Sequence, residues 1–110
     1  MLAGTETPVI EVVRELAALL GLGHVLKAVG RYDESVASYT ECIRHSPESG
    51  ETYWSLANLK TYRFTEAEIA QMRAREASPL VALEDRYHLC FALGKALEDR
   101  GEIADSFTYY

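Results

Sequence analysis

The chain has 110 residues, 48% apolar and 25% charged, a balance that fits one folded domain and excludes a disordered segment. Its formal net charge of −6 argues against nucleic acid, whose readers carry a basic stripe, and against anionic membrane surfaces. Cys42 and Cys90 are its only cysteines and make no disulfide framework, which points to reduced thiols and a cytoplasmic setting.

In chain order, Met1 to Glu6 lacks the basic-then-apolar layout of a signal peptide. Thr7-Pro8 predicts an N-cap followed by proline at the first helical position, where its missing N–H costs nothing. The helix expected from Pro8 to Val29 has room for a bend near Gly21 and Gly23, and Gly30 caps its C-terminus. It contains the longest apolar run, Leu16 to Gly23, far short of the roughly 20 residues a membrane span needs. A second helix, residues 33–45, carries Val36, Tyr39, Cys42 and Ile43 on one stripe, and Ser46-Pro47 stops it. Further helices are expected near residues 51–62, 66–77 and 84–100, and from 102 onward. Thr65-Glu66-Ala67-Glu68 is a capping box that starts the fourth.

Sliding the chain on itself by 71 residues lays Leu22 on Leu93, Gly23 on Gly94, Leu26 on Leu97, Gly30 on Gly101, Ser35 on Ser106 and Tyr39 on Tyr110. These identities follow one grammar: Leu-Gly, a leucine, a glycine, a small residue, then an aromatic. Between them, Tyr53-Trp54-Ser55-Leu56-Ala57 places Ala57 where the others have glycine, and Lys60 where a large apolar residue is expected. Small residues in mid-helix, where glycine costs roughly 1 kcal/mol against alanine, imply a close crossing. Gly94→Leu is therefore expected to overpack and destabilise by about 1–3 kcal/mol.

This grammar, closed by Pro47 in the first unit, resembles the tetratricopeptide repeat. The resemblance implies an all-α fold: antiparallel helix pairs stacked as a short right-handed superhelix of about two and a half to three repeats. It divides the chain into an N-terminal segment (residues 1–15), a first repeat (16–49), a divergent second with its linker (50–83), and a third (84–110) that stops within its second helix.

Stacked helix pairs leave a concave groove lined by the first helix of each pair. The expected lining is Leu20, His24, Lys27 and Ala28, then Glu51, Trp54, Ser55, Asn58 and Tyr62, then His88, Phe91, Lys95 and Glu98. Of these, His24, Lys27, Trp54, Asn58, Tyr62, His88, Phe91 and Lys95 are the candidate binding residues. Aromatic anchors beside Lys27, Lys95 and Asn58 would suit an extended or helical peptide with some acidic character. Trp54 and Phe91 either face the groove or pack between neighbouring first helices. The positions that clamp a chaperone tail in some family members hold Leu20, His24, His88 and Ala92, and Asn58 alone fits, which argues against that ligand.

Catalytic chemistry finds no footing in the sequence. Cys42-x2-His45 and His88-x-Cys90 lack the four-ligand spacing of a zinc site. Gly21-Leu22-Gly23 has no Lys-Ser/Thr after it and is no phosphate loop. Glu84-Asp85 and Glu98-Asp99 are expected on solvated helix faces. No cofactor, metal or catalytic residue is assigned.

Residues 51–64 and the segment from Glu84-Asp85-Arg86 through Phe91 to Asp99 are similar to the repeat region ahead of the catalytic domain in bacterial tetratricopeptide sulfotransferases. None of Pro8, Pro47 and Pro79 is followed by arginine, so the donor-binding loop of that family is absent. The resemblance implies an interaction domain cut from a longer enzyme, presenting a protein substrate or partner to it. The alternative is a stand-alone scaffold whose Phe107, Tyr109 and Tyr110 are covered in a homodimer.

Overall fold

A computed structural model describes residues 9–47, 49–59 and 61–110. They form six helices and no strand: α1 Val9–Ala28, α2 Tyr32–His45, α3 Gly50–Ala57, α4 Glu66–Ala77, α5 Leu83–Asp99 and α6 Ile103–Tyr109. The expected cap at Thr7-Pro8 and the Lys60 position lie outside the described residues. The chain divides into two compact units, one ending at Ser46 and the other starting at Pro47.

The first unit is the α1/α2 hairpin. α1 continues as helix through Gly21 and Gly23. It ends in a Schellman motif: Gly30 takes φ 83°, its N–H donates to the Lys27 carbonyl, and the Arg31 N–H donates to the Leu26 carbonyl. Gly101 repeats the device after α5, with φ 81°, its own N–H on the Glu98 carbonyl and the Glu102 N–H on the Leu97 carbonyl. Both turns therefore require a residue that enters the left-handed region without strain.

Between α1 and α2, small polar side chains seek backbone. Ser35 Oγ donates to the Gly23 carbonyl at 2.8 Å, Ser38 Oγ to Leu19 at 2.7 Å, and Cys42 Sγ to Leu16 at 3.8 Å. Tyr39, fully buried, lays its ring over Gly23, where a Cβ would fall 2.6 Å from the ring's Cδ1. Within its unit α1 meets only α2, and Leu22, Val25 and Val29 are half or more exposed.

In the second unit α5 is the central element, with α3, α4 and α6 packed against it. Leu89, Ala92, Leu93, Ala96 and Leu97 of α5 are buried together with Tyr53, Leu56, Ile69 and Met72. Gly94 copies Gly23: Ser106 Oγ donates to its carbonyl at 2.9 Å and the Tyr110 ring covers its Cα. The small residue of the sequence grammar is thus a serine that bonds the glycine's carbonyl, and the aromatic is the ring that needs the missing Cβ.

The third helix is shorter than its expected span of residues 51–62. It stops at Ala57, where the Asn58 amide donates to the Trp54 carbonyl and competes with the backbone ladder. Leu59 and Phe64 on the connection are buried instead, so core filling continues after the helix has ended. Glu68 anchors the far side. The capping box forms as expected, with the Glu68 N–H donating to Thr65 Oγ1 at 3.2 Å and the Thr65 N–H to Glu68 Oε1 at 2.8 Å. Thr65→Ala is expected to cost about 1 kcal/mol, read as a lower thermal midpoint with an unchanged native helical spectrum.

Candidate functional site

The sequence placed Trp54, His88 and Phe91 on the first helices of their pairs, and the structure brings them together on α3 and α5. The Trp54 ring lies 5.5 Å from that of His88 and 6.4 Å from that of Phe91, centroid to centroid. Trp54 is 36% and Phe91 40% exposed. The rings therefore pack on one another between α3 and α5 while part of each stays open to solvent. His88 is half-buried, and its Nδ1 has no hydrogen-bond partner among the described residues, so ring packing holds it.

The aromatic row extends further than the sequence reading assigned. Phe91 meets Tyr110 at 6.1 Å, Tyr110 meets Phe107 at 6.5 Å, and Tyr87 flanks His88 at 6.0 Å. Tyr87, Phe107 and Tyr110 are all more than half exposed. Tyr87 stands one turn before Phe91, a helical spacing that could have included it. Tyr110 could be found only through the repeat, because α6 must fold back on Gly94 to carry it there. Its hydroxyl donates to Glu98 Oε1 at 2.9 Å. Burial, then this bond to Glu98, push its pKa up to about 12, so it remains a neutral donor.

Several expected groove residues are placed differently. Ser55 is 2% exposed and belongs to the core, because it follows Trp54 around the helix toward the buried side. Tyr62 lies on the connection, since α3 ends five residues earlier. Its hydroxyl bonds the Glu68 carboxylate at 2.7 Å and its ring meets Phe64 edge-on at 5.2 Å. Burial, then the Glu68 bond, push its pKa up. Asn58 is half-buried as the C-cap of α3. Ala92, one of the chaperone-clamp positions, is fully buried.

Lys95 does not present an open charge. Its Nζ is 2.8 Å from Asp99 Oδ2, while Arg63 holds Asp99 Oδ1 at 2.7 Å. Burial works to raise the Asp99 carboxyl, but hydrogen bonds from Lys95 and Arg63 outweigh it and lower the pKa. In the first unit, His24 Nδ1 and the Tyr39 hydroxyl share a 2.7 Å hydrogen bond, and Lys27 is half-buried in the last turn of α1.

Among the described residues, two small cavities accompany these surfaces. One of about 220 Å³ lies against α4 and α5, lined by Glu66, Ile69, Arg73, Leu97 and Arg100. The other, about 280 Å³, is lined by Val12, Glu15, Leu16, Leu19 and His45 of the first unit. Both fall below the roughly 300 Å³ from which ligand pockets begin. Among the described residues no helix is long and apolar enough to cross a membrane, and no group of three or more His, Cys, Asp or Glu is placed to hold a metal.

No curated protein and no solved structure matches the chain. Residues 16–49, which include Gly23 and the Tyr39 ring that covers it, match the tetratricopeptide repeat family, whose repeats generally mediate protein–protein interaction.

Proposed function

We propose that the chain is a protein-interaction module whose second unit holds a partner peptide on the row formed by Trp54, His88 and Phe91. One observation carries this: rings from two helices lie in mutual contact yet stay open to solvent. Rings that only fill a core are closed, as Tyr39 and Tyr53 are at 0% exposure. Large amphipathic rings that already pack on one another lose little conformational freedom when a ligand arrives, which is why such side chains dominate binding energy. Asn58 and Lys95 border the row, and the first unit offers His24 and Lys27 on α1 as separate contacts. Nothing in this reading requires a catalytic residue, metal or cofactor from the chain.

The test is a peptide array probed with the wild-type chain and with Trp54→Ala, both checked by circular dichroism. The variant should keep its helical spectrum and lose at least about tenfold in affinity. Ligands that bind the folded variant as tightly as wild type would sink the reading.

The similarity of residues 51–64 and 84–99 to the region ahead of sulfotransferase domains supports a finer version, in which the module presents a protein substrate to such a domain. A Pro-Arg-Ser-Gly stretch downstream in the reading frame is the expected finding, and a stop codon directly after Tyr110 ends that version. A second reading, self-association, is favoured by Ile103 and Phe107, which stand 48% and 70% exposed on α6. Light scattering would show a dimer that Phe107→Ser dissolves.

A further inference from the structure

Acidic side chains outnumber basic ones in the second unit. Between Pro47 and Tyr110 there are eleven acidic residues and seven basic ones. Several of the basic groups are already engaged. Lys95 and Arg63 share Asp99, Arg100 is held by Glu66 and Glu102, and Arg86 donates to the carbonyls of Glu76 and Ser78. Arg73 and Arg75 stand on α4, which contributes no ring to the aromatic row. Among the described residues, an acidic ligand laid along the row would meet few uncommitted cations.

Carboxylates, by contrast, lie along the row itself. Glu51 stands one turn before Trp54 on α3. Glu84 and Glu98 stand two turns either side of Phe91 on α5, on its face by helical spacing. All three are exposed. Glu98 is tied into the row directly, since it accepts from the hydroxyl of Tyr110, whose ring touches Phe91. Exposed aromatic faces with carboxylates at their margins attract guanidinium and ammonium groups, the ring through its quadrupole and the carboxylate through charge.

Resting on the reading of this row as a peptide site, we propose that its ligand is a cationic peptide, a segment whose arginine or lysine side chains lie across the Trp54, Phe91 and Tyr110 rings, with their charges met by Glu51 at one end of the row and Glu98 at the other. The rings supply contact area and the carboxylates select the sign of the ligand.

Trp54 is the only tryptophan in the chain, so its fluorescence reports on the row directly. Short peptides of alanine, leucine and proline, carrying arginine, glutamine or glutamate at the same positions, are titrated into the wild type and into Glu51→Gln/Glu98→Gln. The arginine peptide should bind about tenfold tighter than the glutamine peptide, with the glutamate peptide weakest. The preference should shrink in the double variant and in high salt, which screens exposed charge. Glutamine or glutamate peptides that bind as tightly as arginine and shift Trp54 emission overturn the cationic ligand while leaving the binding row in place. If no peptide, including those of the array, shifts the emission, both fall. Emission that changes with protein concentration alone identifies a second copy as the occupant, which also overturns the proposal.

Discussion

Gly50→Ala is expected to destabilise the second unit by about 3 kcal/mol, seen as a lower urea midpoint with unchanged slope. Gly50 opens α3 and lies against the backbone of α5: a Cβ there would contact the Asp85 carbonyl oxygen and come within 2.9 Å of its carbon and Cα. Overpacking is tolerable when the opposing atom belongs to a side chain that can turn away. Backbone in the first turn of α5 cannot, because the Gly50 N–H is itself bonded to Asp85 Oδ1 at 3.2 Å and Leu89, Ala92 and Leu93 are locked in the core. The gain in helix propensity from alanine, at most about 1 kcal/mol, does not offset this. The damage should also reach the candidate site, since moving α3 off α5 separates Trp54 from His88 and Phe91, and Trp54 emission should shift to the red. A variant as stable as wild type would mean that α3 and α5 do not approach as closely as the structure has them.

The second large effect is a contrast between two glycines that the repeat makes equivalent. Gly23→Ala is expected to cost about 2–3 kcal/mol, whereas Gly94→Ala should be near neutral. In both, a Cβ would fall 2.6 Å from the Cδ1 of the covering tyrosine. Tyr39 is fully buried and shares a hydrogen bond with His24, so its ring has nowhere to go. Tyr110 is 53% exposed and can swing into solvent, and the added helix propensity compensates for what it leaves. The expectation from sequence, that Gly94→Leu destabilises by about 1–3 kcal/mol, is therefore narrowed: alanine displaces the ring, and only a larger side chain reaches the core behind it. Thermal melts of the two alanine variants decide the matter, and equal losses would refute the contrast. Gly94→Ala has a further use, since a displaced Tyr110 should loosen the bond to Glu98 and weaken the arginine peptide without unfolding the chain.

Much of this protein is determined locally. The all-helical class follows from apolar stripes at the helical period. The ends of α1 and α5 follow from glycines that take a left-handed turn, and the start of α4 from a threonine and a glutamate that bond each other's backbone. These signals act over a few residues, where side chain and backbone meet regardless of the rest of the chain, so they survive in the sequence unaltered. The alignment of Gly23 with Gly94 and of Tyr39 with Tyr110 is legible for the same reason, being a short pattern used twice. Tertiary structure decided what local pattern leaves open. Only packing shows that Ser35 and Ser106 donate to glycine carbonyls across the hairpin, because the acceptor lies twelve residues away. The early end of α3 depends on Leu59 and Phe64 finding room in the core and on Tyr62 finding Glu68. The charge of the candidate site is likewise a tertiary property: Lys95 counts as a lone cation in the sequence, whereas the fold pairs it with Asp99, which Arg63 on the connection before α4 shares. Burial and pairing between distant segments set which side chains remain available, and those are what a partner meets.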